Sequence, residues 1–94
     1  MKNINKKLMA LVIARALVEV GANVRWINAI AKAVVEIETN PAMIWYDARL
    51  LIVSPSGTQY TANGTCQCKA FAFGQPCWHR AAARLIGRYK AIAA

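Results

Sequence analysis

Apolar positions in the first part of the chain recur at helical spacing. Between residues 4 and 20 they are Ile4, Leu8, Leu11, Val12 and Val18, with Leu17 beside them. Gly21 is a natural stop, because glycine takes the left-handed position that follows a helix. Asn23 is a good cap for what comes next. A second stripe then runs through Ile27, Ile30, Ala31, Val34 and Ile37, flanked by Trp26. Two helices joined by so short a link fold back as an antiparallel hairpin, here expected over residues 1–40. Arg15 and Glu19, four apart, are placed to pair on the surface of the first helix. Beyond Lys32 the pattern also suits a strand, since Val34-Val-Glu-Ile-Glu-Thr39 is rich in β-branched residues.

Asn40-Pro41 breaks the periodicity. Asn40 can cap a further helix with Pro41 at its first position, whereas Met43-Ile-Trp-Tyr46 has the composition of a strand. A short helix or an irregular linker is expected there. Arg49 to Val53 is a strand, Ser54-Pro55-Ser56-Gly57 a turn, and Thr58 to Ala62 the returning strand. Asn63-Gly64 makes a second turn. A last helix is expected from near Pro76 to about Ala91, with Ala81, Ala82, Leu85, Ile86 and Tyr89 on its apolar side. Proline is tolerated in a first turn, where its missing N–H is not needed. The pattern therefore predicts a small α+β domain: an N-terminal helical hairpin followed by a ββα unit over residues 41–94, the two packed as one compact body.

The chemistry is concentrated between Cys66 and His79. Cys66-Gln67-Cys68 is followed after eight residues by Cys77-Trp78-His79, and these are all the cysteines and the only histidine of the chain. Three thiolates and one imidazole complete a tetrahedral zinc set, and Gly74 and Pro76 supply a returning turn between the two pairs. Buried thiols serving as small apolar groups are an alternative, but scattered positions would suit them better. Disulfides would leave one thiol over. Cys77 and His79 could form a catalytic pair, yet no third residue is evident to orient them. Four protein ligands leave zinc no open position for water. The expectation is one structural zinc per chain, held by Cys66, Cys68, Cys77 and His79, in a protein that is not an enzyme. At the start of the last helix, Cys77 would gain from the positive helix end.

The spacing Cys-x-Cys, gap, Cys-x-His resembles the SWIM-type zinc finger, and Cys66, Cys68, Cys77 and His79 match its four ligands. Leu51-Ile-Val and Gln59-Tyr-Thr fit that family's hairpin, and Phe71, Gly74, Trp78 and Ala81 onward fit its loop and helix. The resemblance covers roughly residues 50 to 90. It implies a two-stranded hairpin leading to the first ligand pair, with the second pair at the start of a helix. It also implies binding of nucleic acid or protein, as in the transposases, helicase-linked proteins, ubiquitin ligases and phage-like proteins that carry such domains.

Composition sharpens the choice of partner. Twelve basic residues against four acidic ones give a formal charge of +8, which three thiolates around one Zn²⁺ would lower by only about one. A small basic domain suits a polyanion. Arg80, Arg84 and Arg88 recur every fourth residue, and like charges at that spacing repel, so an external anion would relieve them. The leading expectation is a nucleic-acid-binding module, DNA ahead of RNA, with Arg80, Arg84, Arg88, Lys69 and Lys90 on phosphates. Trp78, Phe71 and Phe73 are candidates for stacking on bases, although a small zinc site also needs aromatic cover. The alternative is a protein-interaction adaptor or accessory protein of a phage or mobile element. It is motivated by an apolar fraction of 57%, by the helical stripe that could pair two copies, and by Trp26, Trp45 and Tyr46. Lys2, Lys6 and Lys7 before an apolar run superficially resemble a secretory leader, but Arg15 and Glu19 interrupt it and no small-residue cleavage site follows. No stretch reaches the roughly 20 apolar residues of a membrane span. The thiols indicate a reducing compartment, the cytoplasm, with nucleoid or nuclear association as variants.

Overall fold

The computed structural model describes residues 4–54 and 56–93; Lys2 of the basic start and Pro55 of the expected turn lie outside the described residues. The elements in chain order are α1 (Lys6–Val20), α2 (Val24–Thr39), β1 (Met43–Tyr46), β2 (Arg49–Val53), β3 (Gln59–Ala62), α3 (Lys69–Ala72) and α4 (Trp78–Ala93). Asparagines start both N-terminal helices: Asn5 Oδ1 accepts from the Leu8 amide at 3.1 Å and Asn23 Oδ1 from the Trp26 amide at 3.2 Å. α2 runs through the β-branched stretch to Thr39, so its buried face, Ala29, Ile30, Ala33 and Ile37, overrides the strand propensity of that segment.

Residues 43–46 are a strand, not the short helix or linker expected. Asn40 does not start a further helix but caps the C-terminal end of α2. Its amide closes α2 on the Glu36 carbonyl, and its side chain accepts from the Ala42 amide at 2.8 Å, which turns the chain outward. β1 and β2 are joined by Asp47 and Ala48 alone, both at positive φ (50° and 57°), the paired left-handed conformation of a two-residue hairpin loop. The sheet is an antiparallel meander in the order β1-β2-β3, with Trp45 opposite Leu50 and Leu50 opposite Ala62. The expected ββα unit is thus corrected to three strands, a short helix between the ligand pairs, and a long helix.

α4 packs against α1 and α2 and also against β2 and β3. Ala81, Ala82, Ala83, Leu85, Ile86 and Tyr89 are all buried on it, and one apolar cluster joins them to Met9, Val12, Ile30, Ile37, Leu50 and Ile52. The alanines let elements approach α4 from more than one side. Gly87 lets one come closer still: a Cβ there would sit 3.1 Å from Cη2 of Trp45. The Tyr89 hydroxyl accepts from the Asn5 amide at 2.8 Å, tying the start of α1 to the end of α4. On α1 the buried residues are Met9, Val12 and Ala16; the expected core residues Leu11 and Val18 are 68% and 80% exposed. Among the described residues no helix is long and apolar enough to cross a membrane.

Candidate metal centre

The two ligand pairs approach each other from separate local devices. After β3, Asn63 Oδ1 accepts from the Thr65 amide at 3.1 Å and reverses the chain into Cys66. Gln67, between the first two ligands, reaches back to accept from the Thr61 amide at 2.8 Å. It thereby satisfies an amide of β3, a strand that pairs on one side only, and pins the Cys-x-Cys knuckle to the sheet. α3 then starts directly after Cys68. It ends with the Gln75 amide donating to the Ala70 carbonyl at 2.7 Å and the Gly74 amide to Phe71 at 2.9 Å. That pair of bonds is a Schellman ending. Gly74 occupies its left-handed position at φ 72°, where a side chain would be strained. The turn delivers Pro76 and Cys77, and the Arg25 guanidinium donates to the Gln75 side chain across it.

α4 begins one residue after Cys77, so Pro76 precedes the helix rather than opening it. Cys77 holds the capping position: its sulfur accepts from the Arg80 amide at 3.4 Å and its carbonyl from the Ala81 amide at 3.2 Å. One residue into the helix, His79 is buried between rings, 4.5 Å from Tyr60 and 4.2 Å from Trp78 between centroids.

One ligand atom from each of Cys66, Cys68, Cys77 and His79 falls within 4.8 Å of all the others. A tetrahedron with Zn–S bonds of about 2.3 Å has edges of about 3.8 Å, so an adjustment of about 1 Å closes the set around one ion. Two features of the site fit a metal. Nδ1 of His79 is buried with no hydrogen-bond partner among the described residues, an arrangement that is costly unless something bonds it. All three cysteines are buried, free thiols. Without a cation, burial pushes the Cys66 thiol up to about 12. Burial also raises Cys77, against the opposing pull of the Arg80 amide. At Cys68 burial is outweighed by the amides of Phe71 and Ala70 and by the neighbouring thiols, so its thiolate is favoured. Burial and the Lys32 charge both lower His79, keeping it the neutral imidazole that a metal requires. A divalent cation supplies what desolvation denies the other two thiols. With four protein donors the zinc is structural, not catalytic.

The basic residues are placed unevenly. Arg80 lies over both Trp26 (5.2 Å) and Phe71 (4.9 Å), in cation–π contact with each. Arg84 and Arg88 both donate to Glu19 of α1, Arg84 at 3.3 Å. The relief expected from an external anion is therefore supplied in part from within. Glu19 takes these partners, with Arg15 acting on it only through its charge. Lys69 and Lys90 are exposed, and Lys90 is turned about 200° around the helix from Arg88. Phe71 packs on the cysteine cluster and Trp78 lies under Lys32 at 5.9 Å, so both serve as cover for the site, whereas Phe73 is 78% exposed. The sequence reading missed an open groove of about 440 Å³ lined by all three arginines together with Trp26, Trp45 and the Asn63–Gly64 turn. The fourfold arginine repeat was its one sequence signal, because the tryptophans join it from α2 and β1.

Comparison with curated proteins and with solved structures gives no significant match. Residues 59–83 match the family model of the SWIM zinc finger, a span that takes in β3, both ligand pairs and the start of α4. This part of the chain is a SWIM-type zinc finger, folded around a Cys₃His centre.

Proposed function

We propose that the protein is a zinc-stabilised nucleic-acid-binding module that holds the phosphate backbone through Arg80, Arg84 and Arg88, with Lys69 and Lys90 adding charge outside the groove. The observation that carries this reading is the convergence of the three arginines on one groove whose described lining includes no carboxylate. Glu19 offers two oxygens to two guanidiniums, each of which has five N–H donors, so donors remain for phosphate. Arg84 and Arg88 are 38% and 34% exposed, accessible yet already oriented, which reduces the side-chain entropy lost on binding. At about 6 Å of rise per four residues the arginines can follow a backbone; phosphate contacts position a protein without reading sequence. A reducing compartment, whether cytoplasm, nucleoid or nucleus, belongs to the same proposal, since thiols persist there.

Affinity against salt concentration, measured on zinc-loaded protein with DNA and RNA, tests it. The expected result is micromolar or tighter binding with a steep salt dependence. In the Arg84→Ala, Arg88→Ala double variant the salt slope should fall by roughly two, one per lost phosphate contact. No binding at low salt to either polymer would overturn the proposal. The second reading, an adaptor or accessory protein of a phage or mobile element, is favoured by a different observation: Leu11 and Val18 stand exposed on α1.

A further inference from the structure

We propose that the groove between Trp26, Trp45 and the arginine side of α4 takes an unpaired nucleotide of a single strand, its base against the tryptophans and its phosphates at Arg84 and Arg88. The inference rests on the nucleic-acid reading above and narrows it to a class of substrate.

Phosphate alone would need only the arginines, which any charged surface could present. Here the same concavity also contains two half-buried tryptophans from separate elements, Trp26 of α2 and Trp45 of β1. Its volume of about 440 Å³ lies within the range of about 300–1,000 Å³ usual for small-molecule sites. Indole rings beside guanidiniums suit a ligand that is flat at one end and anionic at the other. In a duplex the faces of the bases are stacked away, so a double helix could use the arginines but not the tryptophans. An unpaired nucleotide uses both.

The construction of the groove is consistent with that occupant. Glycine is the poorest helix former after proline, yet Gly87 sits within α4 where a Cβ would approach Trp45 to 3.1 Å. The missing side chain lets Trp45 lie against the helix between its arginines. Arg80 is held over Trp26 and Phe71, so the guanidinium at one end is ordered before any ligand arrives. At the Asn63–Gly64 turn no described residue beyond the chain neighbours lies within 4 Å of the position a Gly64 Cβ would take, and that end stays open for a chain to continue. Trp78 provides an internal contrast: it lies against His79 and Lys32 and does not line the groove.

The three indole N–H signals of zinc-loaded, nitrogen-15-labelled protein report on the site directly. Titration with oligothymidine, oligouridine, a duplex and poly-glutamate separates the candidate ligands. Expected are shifts of the Trp26 and Trp45 signals with the single strands, a still Trp78 signal, and weaker binding of the duplex. Response to one single strand over the other identifies DNA or RNA as the source of the nucleotide, and either response supports the site. Trp45→Leu should weaken single-strand binding about tenfold and leave duplex binding unchanged, while Trp45→Phe restores it; an unmoved Trp78 signal certifies the fold of each variant. Equal affinity for duplex and single strand, with Trp26 and Trp45 unmoved, would overturn this site and leave phosphate binding standing. Binding of poly-glutamate alone, or of none of the polymers, would overturn both.

Discussion

Glu19 shows what a single side chain does in this fold. Its carboxylate accepts from Arg88 and Arg84, residues 69 and 65 positions away. Nothing in the local spacing points to them, because a chain read alone offers Glu19 only Arg15, one turn earlier. The Arg88 hydrogen bond, assisted by the charges of Arg88, Arg84 and Arg15, holds the Glu19 carboxyl at about 2 against the usual 4.5. The folded pKa lies below the unfolded one, so this contribution is complete above about pH 4.5 and is lost as pH falls toward 2. Near neutral pH, where the contribution is complete and the zinc stays ligated, the wild type should therefore melt at a higher temperature than Glu19→Gln. Equal melting temperatures would show that the pair adds no stability. Above pH 5, Glu19→Gln should also tighten nucleic-acid binding, since it removes the internal competitor for Arg84 and Arg88. The metal ligands were legible at this same scale for the opposite reason: four residues of rare type lie within fourteen positions, so local chemistry identifies them.

At the scale of elements, helices and ladders were legible where one apolar pattern had no rival. β2 and β3 occur almost where period two and the turn residues place them. α1 is helical as expected, but two stripes overlap along it. Leu11 and Val18 belong to the exposed one, whereas the stripe that is buried runs through Met9, Val12 and Ala16. The choice depends on the approach of α2 and α4, and a periodicity carries no information about its partner. Ile30 of α2, only 2% exposed, is unaffected by that ambiguity. Ile30→Ala should cost about 2–5 kcal/mol, whereas Leu11→Ala should stay within about 0.5 kcal/mol. Chemical denaturation of the two variants tests the assignment, and comparable losses would contradict the packing of α1. β1 was missed because its loop is Asp47-Ala48 rather than the Asn-Gly that usually marks such a hairpin. Ala48 adopts a left-handed conformation that costs roughly 1 kcal/mol or more, a cost borne by the ladder and by the packing of Met43 and Trp45.

For the whole molecule, α4 is the common partner of the N-terminal hairpin and the sheet, and the zinc centre holds its first turn. Binding of structural zinc contributes about 10–16 kcal/mol in small domains, against total stabilities of about 5–15 kcal/mol. Removal of the metal should consequently disturb more than the C-terminal part. Chelation, or Cys77→Ser, which weakens both a ligand and a helix cap, is expected to abolish the cooperative melt followed by circular dichroism. It should also release the α1 contacts reported by the Asn5 amide. One zinc per chain by elemental analysis is the accompanying result; a metal-free protein with an unchanged melt would exclude a structural metal.

By itself the sequence determined the ligand set, the helical hairpin, the β2–β3 pair, the apolar side of α4 and the excess of positive charge. Each of these is written in neighbouring residues, through spacing, turn chemistry or composition. Tertiary structure alone decided which face of α1 is buried, that residues 43–46 join the sheet, that Glu19 faces the arginines, and that two tryptophans share their groove. Those outcomes depend on which surfaces meet across the core. Burial and Coulomb energies act between groups that are close in space, whatever their separation along the chain.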